Sequence, residues 1–298
     1  MFPPELLQWG ASVVLAVQSL GNPVFDALAR GLNFFGTVDF YFILLPFLYW
    51  CVDKRAAFQI LVGLLLADYF ARVLKGLFNV TRPYDLDLRI RNLDPQGDAS
   101  FPSAAAVGAS FFWTALALWR QQVWITVLAV VVIASVAFAR MYLGAHYPFD
   151  VAGGILLGVA LAFAWQRVPW NAVWVKLANA PFALGLALVP IALAALYPVK
   201  DTVVSMGALC GALAGISFEI TRVRFAEQTE WWKQIVKLAL GLGVAFLVRT
   251  LLKEILPEAL WADFVRYAVI GIWLALGAPF LFVKIRLSPQ KNLRGFGD

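Results

Sequence analysis

The sequence predicts an all-α polytopic membrane bundle, and three observations carry that prediction. Apolar runs of about 20 residues, the length a helix needs to cross a bilayer, recur to the end of the chain. Only 14% of the 298 residues are charged and 62% are hydrophobic, whereas a soluble domain is about 25% charged. The connections between runs are mostly brief, which favours antiparallel neighbours. Length alone would allow one or two domains. The succession of apolar runs reads as a single integral membrane domain over 1–298, with an N-terminal part (1–37), a middle part (38–166) and a further set of spans (167–298).

Pro3-Pro4-Glu5 is a helix start, because proline fits the first turn. Over 3–20, Leu6, Trp9, Val13, Val17 and Leu20 share one face while Gln8, Ser12 and Ser19 lie elsewhere. That pattern suits an amphipathic helix lying in the membrane interface. A second short helix around 22–35 carries Asp26 and Arg30 and is placed at the surface as well. Nine candidate spans follow, near 38–52, 56–79, 102–119, 122–143, 147–166, 179–197, 202–221, 233–253 and 262–285. Between the second and third lies a polar stretch, 81–100. Such a loop is either a binding loop or lid, or a solvated linker.

The formal net charge of +6 would suggest nucleic acid in a soluble protein. Here no nucleic-acid-binding motif accompanies it, and it reads as basic loops facing anionic lipid. Lys54, Arg55, Arg120, Arg167, Lys176, Arg222, Arg224, Lys284, Arg286, Lys291 and Arg294 fall on one side of the spans. Fewer fall on the other, so the first side and the C-terminus are expected to be cytoplasmic. No cleaved signal peptide is expected. Cys51 and Cys210 read as packing residues. Glycines recur every four residues at Gly154 and Gly158, and again at Gly207, Gly211 and Gly215. They allow close helix approach, either within one chain or in a homodimer. A transporter would show internal repeats and paired broken helices; Pro181 and Pro190 have no matching pair.

Charges are costly in a bilayer, so grouped ones suggest a site. Lys75 ends the second span, and Arg82 and Pro83 follow it. Arg140 ends the fourth span, and His146, the only histidine, and Asp150 straddle the start of the fifth. Three cations suit a phosphate. Spacing of four puts His146 and Asp150 on one helical face, where the carboxylate can fix the tautomer and leave the other ring nitrogen basic. Ser103, Ala104 and their neighbours open the third span with free N–H groups, a phosphate cradle. Any one of these residues alone would more readily be structural; together they hold what phosphoryl transfer needs. One histidine without a carboxylate cluster is a poor metal site, so no metal and no other cofactor is expected.

Lys75 to Pro83, then Pro102-Ser103-Ala104-Ala105, then Arg140 to Asp150, resemble the tripartite signature of the type 2 phosphatidic acid phosphatase superfamily. The resemblance implies a phosphatase core over 38–166, a phosphohistidine at His146 oriented by Asp150, and phosphate held by Lys75, Arg82, Ser103, Ala104 and Arg140, without metal. The layout is most similar to the glucose-6-phosphatase and sphingosine-phosphate phosphatase branch. Asp68 is expected to support the site by pairing with Arg72 at i+4, or by steadying Lys75. Two positions depart from the family pattern. Ala139 stands where a serine is usual, and Ala105 where the family has the histidine that protonates the leaving alkoxide. A general acid contributes about 10²–10⁴-fold, so the chain is expected to be nearly inactive, by an engineered or recent substitution or as a natural pseudoenzyme. The implied ligand is a lipid phosphate, or alternatively a sugar phosphate, hydrolysed or merely held, at a site facing away from the cytoplasm.

Overall fold

A computed structural model describes residues 2–291. Its described elements are helical: α1 (Pro4–Gln18), α2 (Pro23–Phe34), α3 (Val38–Cys51), α4 (Lys54–Phe78), the single turn α5 (Pro83–Leu86), α6 (Ala104–Arg120), α7 (Val123–Tyr142), α8 (Pro148–Trp165), α9 (Trp170–Leu177), α10 (Ala180–Leu196), α11 (Lys200–Phe218), α12 (Trp231–Ile255), α13 (Leu260–Ile272) and α14 (Ala278–Lys284). Short π-type turns follow α11 and α13. Among the described residues, six helical stretches are long and apolar enough to cross a membrane, or up to eight if each of two bent pairs counts as one span. The chain is an integral membrane protein of helical bundle class.

The count of nine spans is not reached, for three local reasons. The stretch expected at 38–52 is α3, only 14 residues long, too short to cross a bilayer unless the bilayer thins around it. The one expected at 102–119 is α6, with 17 residues. The one expected at 179–197 is α10, which meets α9 at a 109° bend. The N-terminal helices α1 and α2 form the second bent pair, at 118°, with Asn22 at the corner accepting from the N–H groups of Val24 and Phe25 at 2.9 and 3.0 Å.

The chain divides into two compact units, Met1–Tyr41 with Leu66–Val168, and Phe42–Leu65 with Pro169–Asp298. In the first, α1 turns its small-residue face inward: Gly10, Ala11, Val14 and Gln18 are buried, while Trp9 and Leu20 stay exposed. Of the apolar stripe legible in the sequence, Trp9 and Leu20 thus face outward, while Leu6, Val13 and Val17 are half-buried. Small residues set the packing face because they let backbones approach; a Cβ on Gly10 would lie 2.8 Å from the Tyr147 ring. Gln18 then ties the long loop down, donating to the carbonyls of Arg91 and Tyr142 at 2.9 Å and accepting from the Arg91 N–H at 2.9 Å.

The glycine stripes are used within the chain. Gly154 and Gly158 of α8 face α6, where Cβ atoms would meet Ser103 O at 2.8 Å and Val107 O at 2.5 Å. In the second unit, Gly207 and Gly211 of α11 face α13 at the Phe264 and Ala268 carbonyls, and Gly271 answers from α13 at Ala208 O. That unit also buries Lys54, which lies 2.7 Å from Glu219 Oε1 and donates to Phe225 O at 3.0 Å. Lys237 is buried there too, donating to Trp50 O and Glu227 O at 2.7 and 2.8 Å.

Candidate active site

All the site residues lie in the first compact unit. Lys75 sits in the last turn of α4, buried, because the helix ends three residues later and its stem can run along the apolar interior. Its ammonium donates to Ala99 O and, at 3.4 Å, to Ser100 O. Arg82, at the N-cap of α5, spreads its guanidinium inward. Its Nε donates to Asp98 O at 2.8 Å and one NH₂ group to Ala145 O at 2.7 Å. That same NH₂ group lies 3.5 Å from His146 Nε2.

His146 occupies the turn between α7 and α8, with Gly144 two residues before it in the left-handed region at φ 79°. A side chain at Gly144 would meet Arg91 O at 2.4 Å, so this turn needs glycine for both conformation and space. Asp150 is at the third position of α8, fully buried. Its Oδ2 accepts from the Tyr147 N–H at 2.9 Å, as a helix-capping acid does. The same oxygen accepts from Ser100 Oγ and lies 3.3 Å from His146 Nδ1. A guanidinium can only donate, so Nε2 beside Arg82 is the acceptor and the proton sits on Nδ1, toward the carboxylate.

Ser103 caps α6: its Oγ accepts from the Ala106 N–H at 3.4 Å, and its own N–H donates to Asp150 O at 3.1 Å. This links the start of α6 to the His146–Asp150 pair. Ala104 and Ala105 form the first turn of α6, half-buried. A Cβ on Gly36 would lie 3.3 Å from Ala105 Cβ, so glycine leaves room beside the alanine. Arg140, in the last turn of α7, is buried and donates to Asn33 Oδ1 at 3.1 Å and to Asp94. Its Nε is buried without a partner among the described residues. Asp68 pairs with Arg72 at i+4, both carboxylate oxygens lying 3.0–3.1 Å from Nε.

The three cations act together on His146. Burial, then the positive charges of Arg140, Lys75 and Arg82, push its imidazole well below the ordinary histidine range. The ring is therefore held toward its neutral form. Among the described residues no three His, Cys, Asp or Glu side chains cluster as metal ligands do.

Four further residues join the site that sequence reasoning did not single out: Asn33, Asp94, Asp98 and Ser100. Asp98 bridges Lys75, at 3.3 Å, and Arg82. Burial works against its charge, but Lys75 and Arg82 hold its carboxyl below the usual carboxylate range. Asp94, Asp98 and Ser100 lie in a loop without helical periodicity, where the one available signal was two aspartates inside a polar stretch flanked by basic residues; Asn33 sits in α2, where nothing in the sequence marks it.

Residues 56–174 match the model of the PAP2 superfamily, and residues 203–291 match that of the PAP2 superfamily phosphatase transmembrane extension. Decaprenylphosphoryl-5-phosphoribose phosphatase of Mycobacterium tuberculosis is 34% identical over half of this chain and 85% of its own length. Lipid phosphate phosphatase delta of Arabidopsis thaliana is 28% identical over 53% of this chain and 42% of its own. Human sphingosine-1-phosphate phosphatase 2 is 29% identical over 56% of this chain and 43% of its own. The chain thus spans less than half the length of the plant and human relatives. With both family models matched in order along one chain, and most of the mycobacterial relative covered at that identity, this protein belongs to the PAP2 superfamily of membrane phosphatases.

Proposed function

We propose that this protein is a metal-independent membrane phosphatase scaffold for a lipid phosphate, working through a phosphohistidine at His146 and slowed by Ala105. The observation that carries the reading is the His146 ring, with Nδ1 toward Asp150 and Nε2 toward Arg82, acted on by three cations. In this reading Lys75, Arg82, Arg140 and the N–H groups at the start of α6 hold the phosphate oxygens. His146 Nε2 attacks phosphorus in line, the bond to the substrate oxygen breaks, and Asp150 stabilises the Nδ1 proton as the ring becomes positive. Water then cleaves the P–N bond and inorganic phosphate leaves. The departing oxygen needs a proton, and Ala105 offers none, so water must supply it. The binding groups are intact, which also supports a chain that holds a phosphorylated ligand with little turnover.

A lipid ligand is supported by the relatives, whose names specify a lipid phosphate, sphingosine-1-phosphate and a decaprenyl-linked phosphoribose; a sugar phosphate is the alternative. In this reading 38–166 is the catalytic core, 167–298 adds spans, and the site faces away from the cytoplasm, following the loop charges. The test is phosphate release by purified Ala105→His protein, with a chelator present, over phosphorylated lipids and sugars. A gain of about 10²-fold or more is expected, abolished by adding His146→Ala. Turnover by the unsubstituted chain equal to that of Ala105→His would refute the missing-acid argument. Silence of Ala105→His on every compound would favour the ligand-holding reading.

A further inference from the structure

Each cation assigned to the phosphate already has a carboxylate against it, and both carboxylates come from one short segment. Asp94, Pro95, Gln96, Gly97 and Asp98 run as a strap. Asp94 contacts Arg140, and Asp98 contacts Arg82 and lies 3.3 Å from Lys75. The carboxylates lie on the solvent side of the cations. Side-chain exposure is 29% for Asp94 and 37% for Asp98, against 6%, 3% and 5% for Arg140, Arg82 and Lys75.

The strap is anchored at its ends and loosely held between them. The Leu93 N–H donates to Leu143 O at 3.1 Å, and the Ser100 N–H to Val80 O at 2.8 Å. Between these anchors Pro95, Gln96 and Gly97 are exposed, and nothing lies within 4 Å of where a Gly97 Cβ would be. The Tyr84 hydroxyl ties the middle, donating to Gln96 O at 3.1 Å and accepting from the Gln96 N–H at 3.2 Å. Lifting the strap breaks the ion pairs, the two Tyr84 hydrogen bonds and the one from Arg82 Nε to Asp98 O.

We propose that Asp94 and Asp98 are resident counter-ions of the phosphate-binding cations, and that a phosphoryl ligand binds by exchange with them. The inference rests on the assignment of Lys75, Arg82 and Arg140 to phosphate. A dianion cannot enter beside two carboxylates on the same three cations without like-charge repulsion. It replaces them instead, charge for charge. A monoanionic phosphodiester would leave a buried cation uncompensated, which is costly. Asp94 and Asp98 therefore set both affinity and charge selectivity.

The test measures binding of inorganic phosphate, at a pH where it is a dianion, to the full chain in detergent by titration calorimetry. Asp94→Asn and Asp98→Asn should each tighten binding about 10-fold, the scale of a typical coupling between competing equilibria. Asp87→Asn, which alters a carboxylate paired with Arg89 in the same loop, should leave it unchanged. Dimethyl phosphate, a monoanion, should bind to the two variants more tightly than to the unsubstituted chain. A second measurement needs no substitution: phosphate should speed amide hydrogen exchange across 96–98, above all at Gln96, whose N–H is held by Tyr84. Unchanged or weaker phosphate binding in both variants, with the unsubstituted chain binding normally, overturns the exchange, as does slowed or unchanged amide exchange in 96–98. If neither the chain nor any variant binds phosphate, the assignment of the site itself fails and the exchange falls with it.

Discussion

A methyl group added at Gly158 tests whether the seam between α6 and α8 holds the site in place. Its Cβ would lie 2.5 Å from Val107 O, 2.8 Å from Ser110 Cβ and 2.9 Å from Phe111 N. Two of these neighbours are backbone atoms, so no flexible side chain can swing away. Reaching an ordinary separation of about 3.5 Å requires α6 and α8 to part by roughly 1 Å. Overpacking of this kind costs about 1–3 kcal/mol, and the better helix propensity of alanine returns about 1 kcal/mol. Gly158→Ala should therefore be destabilising by up to about 2 kcal/mol net, and about 1–3 kcal/mol less stable than a glycine-to-alanine change in open space. Gly185→Ala, where nothing lies within 4 Å of the new Cβ, should keep only the propensity gain. Thermal unfolding in detergent, followed by the fluorescence of the 12 tryptophans, compares the two. Gly154→Ala adds a functional readout, because its Cβ would press on Ser103 O at 2.8 Å and shift the start of α6, weakening phosphate binding. If Gly158→Ala is as stable as Gly185→Ala, the two helices are not in the close contact described, and the link from seam to site is wrong.

Two further outcomes are expected. His146 should stay neutral as pH falls through about 6.5, where a free histidine titrates, seen directly by ¹⁵N NMR because the chain has one histidine. Its folded pKa lies below the unfolded one, so the unfolded state binds the extra proton. Stability is thus retained above about pH 6.5 and lost below it by up to about 1.4 kcal/mol per pH unit relative to His146→Gln; matching pH profiles for the two proteins would contradict this. Ser100→Ala removes a fully buried donor to Asp150, and a hydrogen bond to a charged group is worth about 1.5–3 kcal/mol. The melting temperature should fall, the His146 ¹⁵N shifts should move, and Ser100→Thr should restore more of both than alanine does; unmoved shifts would remove Ser100 from the site.

The sequence by itself determined the class and the chemical inventory. Apolar runs of bilayer length dictate helices, because a backbone in hydrocarbon must satisfy its own hydrogen bonds. Helix limits such as Val123–Tyr142 and Trp231–Ile255 fall within a few residues of the periodic pattern. The i+4 spacing likewise places His146 and Asp150 together, and Asp68 with Arg72, since both pairings are local consequences of helical geometry. Tertiary structure decided what has no local period. It set which face of α1 packs, because glycine and alanine win contact by closeness rather than by hydrophobicity, which counts for little between helices in lipid. It bent α9 against α10 and made the count of spans depend on that bend. It also brought Asp94, Asp98 and Ser100 from a polar loop onto the cations and the His146–Asp150 pair. Buried charge must be matched by whatever the fold brings within reach, and a loop's reach is settled only when the helices that anchor it are in place.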